Sequence, residues 1–143
     1  MFTKNIITVF SFICMFIGCQ SAGPSEIILG KEQCDNCKMT IEDIKYAAEL
    51  MTEKGKPYKF DDISCMTKFI NSNPDKAKNA KTYVVDFKTS QFIETSKAVF
   101  VKGGQISSPM GGNTQAYSGK KDAEKAAKEL RAKVSSEGLR IRN

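Results

Sequence analysis

The chain has 143 residues, a formal net charge of +6 and no histidine. This length is typical of one compact unit or of two very small ones. The absence of histidine excludes imidazole metal ligands and any catalytic triad that depends on histidine. The basic excess is mild, and the basic tail from Lys120 onward contains no aromatic side chains. We therefore expect no nucleic-acid binding.

The first residues are typical of an export signal. Lys4 precedes an uncharged apolar run at 6–17, which is shorter than the roughly 20 residues that a membrane-spanning helix needs. The run ends in Gly18-Cys19, which resembles a bacterial lipobox, where cleavage before the cysteine leaves a thiol that carries lipid. We predict a signal peptide at 1–18 and a lipid anchor at Cys19, although an ordinary signal with a chance cysteine is the alternative. The expected location is the cell envelope, anchored to a membrane and facing the periplasm.

After a linker at 19–30, the first half of the chain shows strand and helix patterns in turn. Apolar runs at 46–51 and 58–60, separated by a charged segment with Gly55, predict a β-hairpin. Asp62 has the character of an N-cap for a following helix, which ends at Asn73-Pro74. The apolar stripe of this helix consists of Ile63, Met66, Phe69 and Ile70. A β-branched and aromatic strand is predicted at 82–87.

The second half repeats this order. Strands are predicted at 97–103 and 113–119, followed by a helix over 120–134, whose stripe includes Val134. Gly138 is expected to end the helix, and 139–143 could form a last short strand. We therefore predict an α+β fold of two ββαβ units, with antiparallel or mixed sheets that each carry one helix.

The predicted units, at 31–90 and 91–143, are small. Units of this size bury too little apolar surface to sustain separate cores. We therefore expect them to share a continuous sheet or to pack closely together.

The stretch "CDNCKM" at 34–39 is the first candidate site. With Cys19 lipidated, Cys34, Cys37 and Cys65 remain in the mature chain, so at least one thiol stays free or binds a ligand. Zinc commonly needs two cysteine pairs or cysteine with histidine, and neither is present. Thiolates together with the Met39 thioether favour a soft cation, and Cu(I) is the biological one.

Two other interpretations of the C-x-x-C motif remain open. A thiol-disulfide redox pair would place the motif at a helix N-terminus, which lowers a thiol pKa. The residues after Met39 instead have a strand-like pattern, and no proline stands between the cysteines. A purely structural role is the third interpretation.

Further soft side chains occur elsewhere in the chain. Cys65 lies in the first turn of the predicted helix, where core packing is its ordinary role and metal binding is secondary, and the same holds for neighbouring Met66. Met110 lies in a loop with Pro109 and two glycines, so it joins no regular apolar stripe. Its alternatives are a surface loop methionine and a distant metal ligand.

The stretches "CDNCKMTIEDIKYAAELM", "YKFDDISCMTKFI", "TYVVDF", "AVFVKG" and "SSPMGGNTQAYSG" follow one another as in NosL-type lipoproteins, which are accessory proteins of nitrous oxide reductase. The resemblance covers about residues 31–130. It implies two ββαβ units and a membrane-anchored carrier that supplies Cu(I) for the copper–sulfide centre of the reductase.

The resemblance also carries residue roles and partners. It implies Cys34, Cys37 and Met39 as the metal motif and Met110 as the distant methionine, while Lys38 stands where many relatives carry glycine. The implied partners are apo nitrous oxide reductase and the transporter that assembles its copper centre. From the sequence we expect a Cu(I) metallochaperone with no catalytic step, and a thiol-disulfide redox lipoprotein is the alternative.

Overall fold

A computed structural model of the chain describes residues 23–135. The predicted signal peptide at 1–18, the lipid anchor at Cys19 and the strand predicted at 139–143 lie outside these residues. None of the helices within 23–135 has the length and apolar character needed to cross a membrane.

The first sheet has four antiparallel strands in the order β2-β1-β3-β4. They are β1 (Ala48–Met51), β2 (Pro57–Phe60), β3 (Lys81–Val85) and β4 (Phe92–Glu94). The predicted hairpin is present as β1 and β2, and Gly55 in its turn has a φ of 79°, which favours glycine. The unpredicted β4 pairs with β3, so this sheet extends past residue 90, where the sequence analysis divided the chain.

Helix α1 (Ile63–Ser72) connects β2 to β3. Its N-cap is Asp62, whose carboxylate accepts a hydrogen bond from the Ser64 N–H at 2.7 Å. This bond pairs one of the amides that a helix start leaves free. The buried face contains Ile63, Cys65, Met66, Phe69 and Ile70. A one-turn helix, α2 (Pro74–Ala77), follows directly.

The second sheet repeats the arrangement with three strands in the order β6-β5-β7. The strands are β5 (Val99–Lys102), β6 (Thr114–Tyr117) and β7 (Lys133–Ser135), with α3 (Lys120–Glu129) between β6 and β7. In both sheets the first strand of the unit pairs antiparallel with the other two strands of the ββαβ motif. The predicted α+β fold is confirmed.

The prediction for the end of α3 was wrong. The helix ends at Glu129, and Val134 lies in β7 rather than on a helical stripe. Arg131 adopts a left-handed φ of 52°, and the N–H groups of Arg131 and Ala132 bond back to Lys128 and Ala127 at 3.4 and 2.8 Å. This pattern is a Schellman cap, with arginine where glycine is usual.

The two units pack closely but do not share a continuous sheet. Phe100 and Ala116 of the second sheet lie in the core of the first unit. A single parallel bridge joins Asp86 to Ala116. Beside it, the Ser118 hydroxyl donates to the Asp86 carboxylate at 2.6 Å. Each unit therefore completes part of its core with residues of the other.

Candidate metal centre

The segment 34–39 folds into a tight turn. The Lys38 N–H donates to the Cys34 carbonyl at 2.9 Å, and the Cys34 N–H donates to the Met39 carbonyl at 2.8 Å. Lys38 closes the turn with a φ of 66°, in the left-handed region where glycine is favoured. Glycine adopts this conformation most readily, and here a lysine occupies it.

The turn is fixed against strand β2. The Asp35 N–H donates to the Lys59 carbonyl and the Lys59 N–H donates to the Asp35 carboxylate, both at 2.8 Å. The Lys59 ammonium also lies 2.6 Å from a Glu32 carboxylate oxygen. These contacts hold the turn at 34–39, here called the cysteine turn, beside the end of β2, where Asp61 precedes helix α1.

Four side chains meet at this point, and we call them the thiol cluster: Cys34, Cys37, Asp61 and Cys65. Their sulfur and carboxylate oxygen atoms all lie within 4.8 Å of one another. With metal–sulfur bonds of about 2.3 Å, two ligands of one ion are at most about 4.6 Å apart. Small side-chain rotations would therefore let these atoms reach a single ion.

The thiol cluster lies mostly inside the protein. Cys34 and Cys65 are fully buried, Asp61 is 3% exposed and Cys37 is half-buried. All three cysteines are free thiols rather than disulfides. Cys37 is therefore the member of the thiol cluster through which a metal ion would enter or leave.

The environment disfavours thiolates in the absence of a cation. Burial raises the pKa of Cys34 to about 11, although backbone N–H groups of the turn partly oppose this effect. Burial also raises the pKa of Cys65, and the nearby Cys34 and Asp61 add to the rise through charge repulsion and hydrogen bonding. The Cys37 thiol lies 3.5 Å from both oxygens of Asp61. A bound cation would replace the thiol protons and relieve the repulsion.

The other predicted site residues differ in how deeply they are buried. Met39 is 56% exposed beside the turn. Cys65 lies in the core and also belongs to the thiol cluster, whereas Met66 is fully buried in the core. Met110 is half-buried and packs against the same core, which contains Cys34 and Cys65.

Asp61 was missed by the sequence analysis. The segment "FDDISC" contains two aspartates before a helix, and only one of them can occupy the N-cap position. The remaining aspartate lies four residues before Cys65, on the same short segment. A second acidic residue without a capping role was the signal available in the sequence.

Asp62, the N-cap, also contacts the second unit. Its carboxylate accepts hydrogen bonds from the Ser108 hydroxyl at 2.6 Å and from the Met110 N–H at 3.1 Å. Burial alone would raise the pKa of Asp62, but the hydrogen bonds from Ser108, the Ser64 N–H and Met110 outweigh it and hold the pKa below its usual value. The segment 107–112, here called the Met110 loop, thus rests on the start of α1.

Comparison with known proteins decides the family. A family model described as NosL matches residues 26–136, which is most of the chain. The chain belongs to the NosL family. Among solved structures, this NosL-family chain is similar to the crystal structure of the copper chaperone NosL from Shewanella denitrificans, with a TM-score of 0.66 and 25% identity. That match covers 78% of this chain and 91% of the other chain. Comparison with functionally curated proteins finds no match.

Proposed function

We propose that this NosL-family protein is a membrane-anchored metallochaperone that carries Cu(I). The observation that carries the proposal is the thiol cluster, in which three free thiols and one carboxylate lie within 4.8 Å of one another. Soft thiolates and thioethers select Cu(I) over harder cations. The similarity to a protein described as a copper chaperone supports the same cargo.

The exposure of the sulfur atoms is suited to transfer as well as to binding. Cys34 and Cys65 are fully buried, whereas Cys37 is half-buried and Met39 is 56% exposed. A copper ion held by the buried thiols would remain reachable on the side of Cys37 and Met39. An acceptor could replace these outer ligands one at a time, so copper would pass on without being released into water.

The family resemblance supports a proposal for the destination of the copper. We propose apo nitrous oxide reductase and the transporter that assembles its copper centre as partners, in the periplasm. The Gly18-Cys19 motif supports a lipid anchor at Cys19. Two acyl chains would hold the protein at the membrane stably. Mass spectrometry of membrane-extracted protein should find an acylated cysteine at the new N-terminus, and a soluble protein that begins elsewhere would overturn the proposed location.

Competition titration of the reduced protein with a Cu(I)-specific chelator tests the cargo. We expect tight binding of about one equivalent, which the Cys34→Ser, Cys37→Ser double variant should abolish because it removes two of three thiolates. Met51→Leu is the matched control, because Met51 is a buried methionine of β1 outside the thiol cluster. Wild-type protein that does not compete for Cu(I) would overturn the function.

The redox alternative predicts a different activity. A redox cysteine pair needs a lowered thiol pKa, but burial raises the pKa of Cys34 to about 11. The motif is also enclosed by an isolated antiparallel bridge between Gln33 and Thr40, and no helix begins directly after the second cysteine. The protein should therefore fail to reduce insulin disulfides. Reduction at a rate similar to that of thioredoxin would favour the redox function instead.

A further inference from the structure

Asp62 joins the helix that carries Cys65 to the Met110 loop. We propose that Asp62 and Ser108 are positioning residues that keep the Met110 loop closed over the first unit and thereby set the rate at which copper leaves. The inference rests on the copper-carrier function proposed above and adds to it residues outside the thiol cluster. Asp62 is 1% exposed with the loop in place, so protein groups rather than water satisfy its carboxylate.

The two oxygens of Asp62 have separate partners. One oxygen accepts the Ser64 N–H at 2.7 Å and caps α1. The other accepts the Ser108 hydroxyl at 2.6 Å and the Met110 N–H at 3.1 Å. Hydrogen bonds to a carboxylate are short and strong, and a buried carboxylate that loses its donors is destabilised. Opening the Met110 loop therefore breaks two hydrogen bonds to a carboxylate that is 1% exposed while the loop is closed.

The Met110 loop packs closely on the start of α1. The Ser108 hydroxyl that donates to Asp62 also accepts the Asn113 N–H at 2.7 Å, which braces both ends of the loop. A Cβ added at Gly112 would lie 2.5 Å from an Asp62 oxygen and 2.7 Å from the Ser64 Cβ. Glycine is therefore required for the loop to approach the start of α1 this closely.

The closed loop places Met110 against the core of the first unit, at the start of the helix that carries Cys65. Met110 packs against the core that contains Cys34 and Cys65, and its N–H is bonded to the residue that follows Asp61. Pro109 and Gly111 on either side are exposed, so the outer surface of the loop is reachable from solvent. The hydrogen bonds of Asp62 thus hold a methionine-bearing loop at the start of the helix that carries Cys65, and Asp62 itself is not a member of the thiol cluster.

The test measures the rate at which Cu(I) passes from the loaded protein to an excess of chelator. Ser108→Ala removes the hydroxyl that donates to Asp62 and should speed release about three- to tenfold. Ser118→Ala is the matched control, because it removes a hydroxyl–carboxylate bond of the same 2.6 Å length between the units, at Asp86. The control should change the rate by less than about twofold.

A double-mutant cycle separates positioning from general stability. In the Met110→Leu background the thioether is gone, so Ser108→Ala should no longer speed release, although it should lower the melting temperature in both backgrounds. The inference would be overturned if Ser108→Ala left the release rate within about twofold of the wild-type rate. It would also be overturned if Ser108→Ala raised the release rate by the same factor in the wild-type and Met110→Leu backgrounds.

A second variant covers the case in which Ser108→Ala does not fold. Gly112→Ala would push the loop away from Asp62, because the added Cβ would clash with the start of α1. Its Cu(I) release rate is measured in the wild-type and Met110→Leu backgrounds, with the same expected outcomes as for Ser108→Ala. Failure of the carrier function itself would look different, because the wild-type protein would then not load with Cu(I).

Discussion

The Cys37 thiol lies 3.5 Å from each carboxylate oxygen of Asp61, so the most accessible thiol of the cluster is paired with the one carboxylate of the cluster. In terms of hard and soft ligands, the carboxylate makes this set of side chains harder than three thiols alone would be. Oxygen ligands favour harder divalent cations, whereas Cu(I) prefers sulfur. Asp61 should therefore affect divalent ions more strongly than Cu(I).

Asp61→Asn tests this difference with Co²⁺ as a spectroscopic probe. We expect Co²⁺ affinity to fall about tenfold or more and Cu(I) affinity to change by less than about threefold. Titrations followed by absorbance for Co²⁺ and by chelator competition for Cu(I) measure both values. Asp43→Asn is the control, because Asp43 caps the short helix at Ile44–Tyr46 outside the thiol cluster. Equal losses for the two ions would show that Asp61 has no selective role.

Met110→Leu should weaken Cu(I) binding while preserving the fold. Leucine has nearly the volume of methionine, so the packing of the half-buried side chain against the core is largely kept, whereas the thioether is lost. We expect affinity to fall by ~1–2 kcal/mol, or about tenfold, as for the loss of one weak soft ligand. Chelator competition and thermal melting measure the two effects. Unchanged copper affinity would make Met110 a packing residue only.

Asp86 should make the contact between the two units sensitive to acid. Burial alone would raise its pKa, but hydrogen bonds from Ser118 and the Lys88 N–H hold the pKa below its usual value. Because the folded state holds the proton less tightly, the stability from Asp86 is present above the unfolded pKa of about 4 and is lost as pH falls through the folded pKa.

Asp86→Asn removes this contribution. At pH 7 the free energy of unfolding should fall by roughly 1–2 kcal/mol, because a buried charged acceptor is replaced by an amide. Below about pH 4 the difference between the variant and wild type should shrink. Thermal melts between neutral and acidic pH measure both trends, and a constant difference over the whole range would contradict this assignment. Ser118→Ala should show a smaller loss at pH 7.

Lys38→Gly should stabilise the protein. Lys38 has a φ of 66°, and a left-handed conformation costs a residue with a Cβ roughly 1–2 kcal/mol. Glycine avoids this cost but loses more conformational freedom on folding, by roughly 0.5–1 kcal/mol. The net gain in unfolding free energy should lie between about 0 and 1.5 kcal/mol. Chemical denaturation measures it, with exposed Lys31 changed to glycine as a control that should lose stability. Equal losses in both variants would exclude strain at Lys38.

The sequence predicted those structural elements whose ends are set by residues close by in the chain. The hairpin with Gly55, the N-cap at Asp62 and the C-x-x-C motif could all be recognised within a few neighbouring residues. The end of α3 could not, because it depends on a distant segment. The Gln105 N–H donates to the Leu130 carbonyl at 2.8 Å, and Gly104 packs against the Leu130 and Arg131 backbone so closely that a Cβ would clash. Tertiary contact therefore overrode the helical pattern that includes Val134.

The same limit applies to the thiol cluster. Cys34 and Cys37 share a motif, but Asp61 and Cys65 join them only because the cysteine turn docks on β2 through Asp35 and Lys59. Sequence spacing carries no information about that docking. The residues themselves pointed to the C-x-x-C motif and to Met110, and the fold then brought Asp61 and Cys65 to the turn.

X-ray absorption at the copper edge of the reduced, Cu(I)-loaded protein tests the central claim most directly. The chain contains no histidine, so a sulfur-bound copper ion cannot be confused with one held by imidazole. We predict sulfur as the nearest neighbour of copper in the wild-type protein and the loss of that signal in the Cys34→Ser, Cys37→Ser double variant. Copper surrounded only by oxygen or nitrogen, or a sulfur signal that the double variant retains in full, would contradict a carrier site built on the thiol cluster.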